Sequence, residues 1–313
     1  MSAFVVVNPR SGNGRTGREW KTVEPVLAAA YPQMTVAFTR ARREATNLVR
    51  NALREGHHEI IAVGGDGTIN EAVNGFFDAN GPVSPDAVFG YVTSGTGGDF
   101  RKSFGIEAGA EAGIARLKNA PVRAIDVGRL SCLSQKGEPL VRHFANIASF
   151  GLSGAVVDSV NRARIAKLFG GPFAFAFHSA VDMLTFSDRV VRIIVDNSYD
   201  EIAGISTVAV ANGQFFGGGM RVAPGASLDD GIFDVVIMGG APKGQMLKDM
   251  KLIYTGEHIE NPNVRVLRGR KVVAVPVAET RGRPVLIETD GESAGRLPAT
   301  FEILPRALNL RCR

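Results

Sequence analysis

The apolar positions follow one pattern before about residue 123 and another after it. In the first part, residues 4–7, 35–39, 60–63 and 89–93 are short apolar runs with almost no polar alternation. Such runs predict strands buried on both faces, as in a parallel sheet. Residues 16–30, 42–55, 69–77 and 108–119 have the longer spacing of helices, so strand and helix alternate. After residue 123, strand-like segments crowd together at 125–130, 143–148, 190–195, 207–211, 233–238, 272–277, 285–289 and 301–304. Gly, Pro, Asp and Asn clusters separate most of them, which predicts an antiparallel sandwich or barrel. Two helical intervals, 155–188 and 242–255, interrupt this half. The expected fold is a Rossmann-like three-layer α/β domain at 1–123 and a β-rich domain at 124–313. Whether the last residues pack back on the first domain is left open.

The breaks between the early runs are as informative as the runs. The strand at 60–63 enters Gly64-Gly65-Asp66-Gly67-Thr68-Ile69-Asn70. Glycines at a strand-to-helix turn permit positive φ and remove the Cβ atoms that hold a ligand off the backbone. The free amides and the positive helix end then suit a phosphate. A tight turn without a ligand is the simpler alternative. Asp66 weighs against it, because a carboxylate there would repel phosphate unless it bonds locally or works through Mg2+. Asn8-Pro9-Arg10-Ser11-Gly12 after the first strand and residues 94–100 after the fourth are further glycine-rich loops. Three such loops on the carboxyl edge of one sheet point to a nucleotide site.

At 313 residues the chain has room for two cores, and 45% hydrophobic with 21% charged residues is ordinary globular composition. The net charge of +5 favours anionic surfaces, but no lysine or arginine block resembles a nucleic-acid arm, so no nucleic-acid partner is expected. Cys132 and Cys312 lie far apart, as reduced thiols of a cytoplasmic protein would. The first residues lack the basic head and apolar core of a signal peptide. No stretch reaches the roughly 18 apolar residues that span a bilayer. The expected location is the cytoplasm, at most peripheral at the inner face of the membrane.

The central turn resembles the Gly-Gly-Asp-Gly-Thr signature of diacylglycerol, sphingosine, ceramide and NAD kinases. Asn8-Pro9-x-Ser11-Gly12 and Gly95-Thr96-Gly97-Gly98-Asp99-Phe100 are similar to the other nucleotide motifs of the diacylglycerol kinase catalytic family. So are residues 144–152, the Asn212 to Met220 glycine stretch, Leu228-Asp229-Asp230-Gly231 and Asp290-Gly291-Glu292. The resemblance covers nearly the whole chain in order. It implies an NAD kinase/diacylglycerol kinase-like fold and an ATP-dependent, Mg2+-assisted lipid kinase acting on a lipid alcohol at a membrane surface. Diacylglycerol, ceramide or a sphingoid base would fit as acceptor. It implies nucleotide contacts from Asn8, Pro9, Arg10, Ser11, Gly12, Thr39, Gly64, Gly65, Asp66, Gly67, Thr68, Ile69, Asn70 and Thr96. Asp66 and Asp99 would organise Mg2+, and Ser227, Asp230 and Ile232 a second, structural Mg2+. Asp290, with Glu292 as partner or alternate, would be the base, although Asp-Gly is also ordinary turn chemistry.

One departure is Gly98, where the family usually has asparagine. Arg162, Arg164 and Lys167 beside the aromatic residues 168–177 read equally well as a membrane-contact segment or a core helix. A homodimer is compatible with the sequence. An NAD kinase-like enzyme with a soluble acceptor and a non-catalytic nucleotide- or lipid-binding module remain the alternatives.

Overall fold

The computed structural model describes residues 2–93, 98–104, 109–166, 186–240, 242–277 and 284–312. The first half is built from β1 (Ser2–Val7), α1 (Ser11–Ala30), β2 (Gln33–Phe38), α2 (Glu44–Arg54), β3 (Glu59–Gly64) and α3 (Asp66–Gly75). The short hairpin β4 (Phe77–Asp78) and β5 (Gly81–Pro82), then β6 (Val88–Thr93), α4 (Asp99–Lys102) and α5 (Ala110–Asn119), complete it. Strands run in the order β6-β3-β1-β2, every neighbour parallel. Both faces are covered, which is why the runs show no alternation. Ala3, Val5 and Val7 pack with Trp20 and Leu27 of α1 and Leu117 of α5. Phe4 and Val6, pointing the other way, pack with Val49 of α2 and Ile69 and Val73 of α3.

The β-rich half comprises β7 (Val122–Leu133), β8 (Pro139–Phe144), β9 (Ile147–Gly151), α6 (Leu152–Ala166), β10 (Arg189–Val195), β11 (Tyr199–Ile205) and β12 (Thr207–Ala211). It continues through β13 (Phe233–Met238), α7 (Lys243–Thr255), β14 (Val264–Gly269), β15 (Lys271–Pro276), β16 (Leu286–Thr289) and β17 (Glu292–Arg311). Strands β14-β13-β12-β9-β16-β17 form an antiparallel series, and β11-β10-β15 with β8-β7 join β17 from the other side. Phe144, Phe150, Ile193, Phe233 and Phe301 fill the space between the layers. The α/β-then-sandwich architecture expected from the sequence is the one observed.

Local differences have physical reasons. Helix α3 starts at Asp66 and ends at Gly75, three and two residues earlier than its apolar spacing suggests. Residues 143–148, which read as one strand, are split between β8 and β9 because the amides at the break are taken by a side chain described below. The strand expected at 301–304 is the middle of the twenty-residue β17. It pairs in turn with β16, β15 and β7, and its end lies parallel to β6 through Asn309 and Leu310. Most of the helix expected at 155–188, including Lys167 and the aromatic residues after it, lies outside the described residues, as do the side chains of Arg162 and Arg164.

Arg311 secures that last strand. Its Nε donates to Glu59 at 2.9 Å and its Nη1 to the Ala120 carbonyl at 3.2 Å. The Tyr31 hydroxyl donates to the same Glu59 at 2.8 Å. Both members of the ion pair are largely buried, with 17% and 12% of their side chains exposed. Removing one partner leaves the other uncompensated. Arg311→Met is therefore expected to lower stability in urea unfolding by about 1–3 kcal/mol. It should also speed amide exchange at Leu310 before exchange in β6 itself is affected. Unchanged exchange at Leu310 would show that backbone pairing alone holds the strand.

Candidate active site

The carboxyl ends of β1, β2 and β3 meet at the glycine turn. Asn8 Nδ2 donates to Thr68 Oγ1 at 3.0 Å, and its Oδ1 accepts the Arg10 amide at 3.1 Å. Thr39, buried after β2, donates its amide to the Val7 carbonyl. Pro9 packs under the next loop, where the Gly17 amide donates to its carbonyl. Gly12, Asn13 and Gly14 are all left-handed, so the start of α1 is a loop that turns Ser11 towards the glycine turn.

The glycines of that turn differ from expectation. Gly64, Gly65 and Gly67 have no positive φ. They are needed for close approach instead: a Cβ on Gly64 would lie 2.5 Å from Thr68 Oγ1, and one on Gly67 2.6 Å from Glu292 Oε1. Gly65 is extended and stands before the first turn of α3, whose amides include those of Gly67 and Thr68. Ile69 turns inward to the core, while Asn70 projects to the second half of the molecule.

Asp66 lies in the first turn of α3. Its Oδ2 accepts the Gly98 amide at 2.9 Å, and its buried Oδ1 has no hydrogen-bond partner. Burial pushes its pKa up, opposed by the Gly98 amide, with Asp99 adding to the rise. Gly98 is left-handed at φ 73, a conformation asparagine also tolerates. The backbone there supplies the contact, so glycine at this position keeps it. Thr96 lies outside the described residues.

The second half contributes a hairpin. Asp290 and Gly291 join β16 to β17 with φ of 49 and 82, as a type I′ turn requires. The Asp290 carboxylate accepts four hydrogen bonds: Asn146 and Ile147 amides on Oδ1 at 3.1 and 3.0 Å, Asn70 Nδ2 and the Ala145 amide on Oδ2 at 2.9 and 3.1 Å. Burial nevertheless pushes its pKa up to about 6, against the pull of these donors. Glu292 is more open. Its Oε2 binds Arg42 at 2.6 Å, while its Oε1 lies over Gly67. It lines a cavity of about 720 Å³ together with Asn70 and Thr289. Asn8, Ser11, Asp66 and Thr68 do not line that cavity.

Two expected metal sets fare differently. Asp66 offers a free buried oxygen, which fits a hard cation. Asp99 is already engaged, by Lys102 Nζ at 3.2 Å and the Gly218 amide at 2.7 Å. Asp230 is paired with Arg268, Ser227 Oγ donates to Asp229 at 3.0 Å, and Ile232 presents its amide to Asp230. Asp230, the only carboxylate of the Ser227–Asp230–Ile232 set, thus carries a guanidinium, and the ligands expected beside it are the backbone carbonyls of Ser227 and Ile232. No cluster of three metal-ligating side chains occurs among the described residues.

Strand-end loops of a parallel sheet facing a carboxylate hairpin from a β sandwich are the layout of the NAD kinase/diacylglycerol kinase-like fold. The diacylglycerol kinase catalytic domain family matches residues 2–130, and the YegS C-terminal NAD kinase beta sandwich-like domain family matches residues 146–312. The chain belongs to the diacylglycerol kinase family built from these two domains. It is 28% identical over 311 residues to a Staphylococcus haemolyticus diacylglycerol kinase, covering 98% of this chain and 87% of that protein. A Mycobacterium tuberculosis diacylglycerol kinase is 24% identical over 97% of this chain and 93% of its own length. The fold matches a Bacillus anthracis diacylglycerol kinase crystal structure (TM-score 0.71, 19% identity, all of this chain and 97% of the other). It also matches yeast NADH kinase (TM-score 0.52, 12% identity, 99% and 82%).

One site residue escapes a reading of the sequence. Glu288 is 2% exposed, receives the Ser149 hydroxyl and accepts the Gly291 amide at 2.8 Å. Its only signal is a lone acid inside an apolar run. Burial pushes its pKa up to about 8, with Asp290 and Glu292 adding to the rise. The folded chain thus holds a proton that the unfolded chain releases near the ordinary value of 4.5. Stability should fall as pH rises through that window, by up to ~1.4 kcal/mol per pH unit. Glu288→Gln removes the titrating proton, its Oε1 accepting the Gly291 amide and its Nε2 donating to the Ser149 hydroxyl, which is free to donate to Ser153. It is expected to flatten the loss of Tm between about pH 5 and 8 relative to the parent chain. An equally steep loss in the variant would assign the slope to another group.

Proposed function

We propose that this protein is an ATP-dependent lipid kinase that transfers the γ-phosphate of ATP to the hydroxyl of a lipid alcohol. The observation that carries the reading is the meeting of Asn70 and Gly67, on the helix behind the glycine turn, with Asp290 and Glu292 of the sandwich hairpin. The family membership and relatives named diacylglycerol kinase support the same reading.

The nucleotide phosphates lie against the amides of Gly65 to Gly67 at the start of α3, with Asn8 and Ser11 beside them and Thr39 at the next strand end. Arg10 adds positive charge at the rim. Asp66 would hold an Mg2+ through its unpartnered Oδ1, and the ion would supply neutralisation of the phosphate charge. The lipid hydroxyl enters from the cavity and loses its proton to a hairpin carboxylate. Its oxygen forms a bond to the γ-phosphorus as the β–γ bridging bond breaks, leaving ADP. Asn70 Nδ2 orients the carboxylate. A water-insoluble acceptor brings the chain to a bilayer surface, and a net charge of +5 favours an anionic one.

Two carboxylates compete for the proton, each with one observation behind it. Asp290 has a pKa raised to about 6, near the range useful to a base. Glu292 has an oxygen already beside the cavity. Asp290 as base requires the hydroxyl to replace Asn70 on Oδ2.

The test is γ-labelled ATP with Mg2+ and mixed micelles of diacylglycerol, ceramide and sphingosine, run against pH. Label in a lipid is expected, with activity falling as pH drops below about 6 as Asp290 gains its proton. Asp290→Asn should abolish transfer and retain ATP binding, at some loss of stability, since an amide nitrogen cannot accept the backbone donors. Glu292→Gln is isosteric and partly exposed. If it keeps the acidic limb, Asp290 is the base; a loss of roughly 100-fold or more would move the role to Glu292. No label in any lipid, with ATP still bound, would overturn the lipid reading in favour of a soluble acceptor or a non-catalytic module.

A further inference from the structure

Asp290 and Glu292 flank Gly291, yet the fold holds the two acids unequally. The Asp290 carboxylate has four donors, and its own amide donates to the Ile147 carbonyl at 2.9 Å. Among the described residues the Glu292 side chain bonds only Arg42, which is 70% exposed. A bridge to so open a partner fixes little in water. The joint between the two acids is a glycine at φ 82, the residue type with the widest backbone freedom.

Glu288 removes that freedom from behind. In a two-residue hairpin loop the amide of the second loop residue has no ladder partner. Here Glu288 Oε2 accepts the Gly291 amide at 2.8 Å. The ladder shifts at this point: Ile287 faces Gly295 but Glu288 faces Ser293, so Ala294 is left over as a bulge. Bulges of this kind re-aim side chains beside functional sites. The other carboxyl oxygen meets Ser149, directly opposite on β9, and Ser149 Oγ lies 2.8 Å from Ser153 Oγ in the first turn of α6. Helix α6 starts hard against the strand, since a Cβ on Gly154 would collide with the Leu286 carbonyl oxygen. One chain of hydrogen bonds thus runs from α6 through Ser153, Ser149 and Glu288 to the turn.

Burying an acid costs more than burying a leucine at the same strand position unless its hydrogen bonds are met. The cost here is offset by what the carboxyl does for the Gly291 amide and Ser149. Burial pushes its pKa up to about 8, so near neutral pH no third negative charge stands behind Asp290 and Glu292. We propose that Glu288 is a positioning residue for phosphoryl transfer: by holding the Gly291 amide it locks the joint between Asp290 and Glu292 and sets both carboxylates against Asn70 and Gly67. The proposal rests on the kinase reading for the reaction and adds a residue that touches neither acceptor nor nucleotide. A misplacement of about 1 Å at a reacting group can cost ~100-fold in rate. Loss of the brace frees Glu292 first, because Asp290 keeps its own donors.

The experiment compares Glu288→Leu, which loses the bonds to Gly291 and Ser149, with Glu288→Gln, which keeps an acceptor for one and a donor for the other. Transfer is measured with ATP, Mg2+ and whichever lipid takes the label. At about pH 7, Glu288→Leu is expected to lower kcat about tenfold or more while KM for ATP changes less than about twofold. Glu288→Gln should keep kcat within about threefold of the parent. Equal losses in the two variants, a Glu288→Leu kcat equal to that of the parent, or a loss carried by KM alone would each overturn the proposal.

A second measurement needs no turnover. In protein labelled with isotopic glycine, the Gly291 amide is assigned by its absence from Gly291→Asn, a residue that tolerates positive φ. Its hydrogen exchange should be about tenfold faster or more in Glu288→Leu and near the parent rate in Glu288→Gln. Unchanged exchange in Glu288→Leu would overturn the proposal whatever the kinetics. No label in any lipid from the parent chain, with exchange quickened as expected, would sink the kinase reading and leave the brace standing. Should Glu288→Leu fail to fold, Ser149→Ala cuts the chain of hydrogen bonds behind Glu288 and serves both measurements, with an expected kcat loss of about threefold.

Discussion

The Asp290 carboxylate is the point on which the two halves of this molecule agree. Its four hydrogen bonds come from Asn70 on α3 and from three consecutive backbone amides, Ala145 to Ile147, at the start of β9. Those amides cannot also serve a sheet ladder, so the strand breaks there and the chain turns. A buried carboxylate is tolerable because each lone pair has a donor. Asn74 extends the seam, donating to the His143 carbonyl and accepting its amide. These short-range polar contacts sit beside apolar packing that also joins the halves, with Ile69 and Val73 of α3 in one core cluster with Ile125, Val127 and Ala145.

Features that depend on neighbouring residues can be read from the sequence because they are local. The parallel sheet is recognisable because burial on both faces removes alternation from the strands, and the glycine turn because close approach excludes side chains. The reason for the glycines is not the one their positions suggest: φ is ordinary there, and it is Thr68 and Glu292 that leave no room for a Cβ. Glu292 is more than two hundred positions away, so that crowding has no trace in the turn itself. The Asp-Gly hairpin is legible as a turn, while the enclosure of Asp290 depends on amides 143 to 145 positions earlier and on Asn70.

The acidic motifs illustrate the same limit. Asp66, Asp99 and Asp230 read alike on paper as oxygen ligands. Folding gives Asp99 a lysine and a backbone amide, gives Asp230 a guanidinium, and leaves one oxygen of Asp66 without a partner.

The pairing of β17 with β6 has a bearing on how the chain is made. The parallel sheet is assembled from residues 2–93, but the neighbour of β6 arrives only with Asn309 and Leu310, after the whole sandwich. Until then a nascent chain displays an unprotected strand edge, open to pairing with another copy. The late contact also spans more than two hundred positions, which slows closure of the sheet. Synthesis therefore proceeds from an exposed edge to a sealed one, and the interval between them is when this protein is most vulnerable to aggregation.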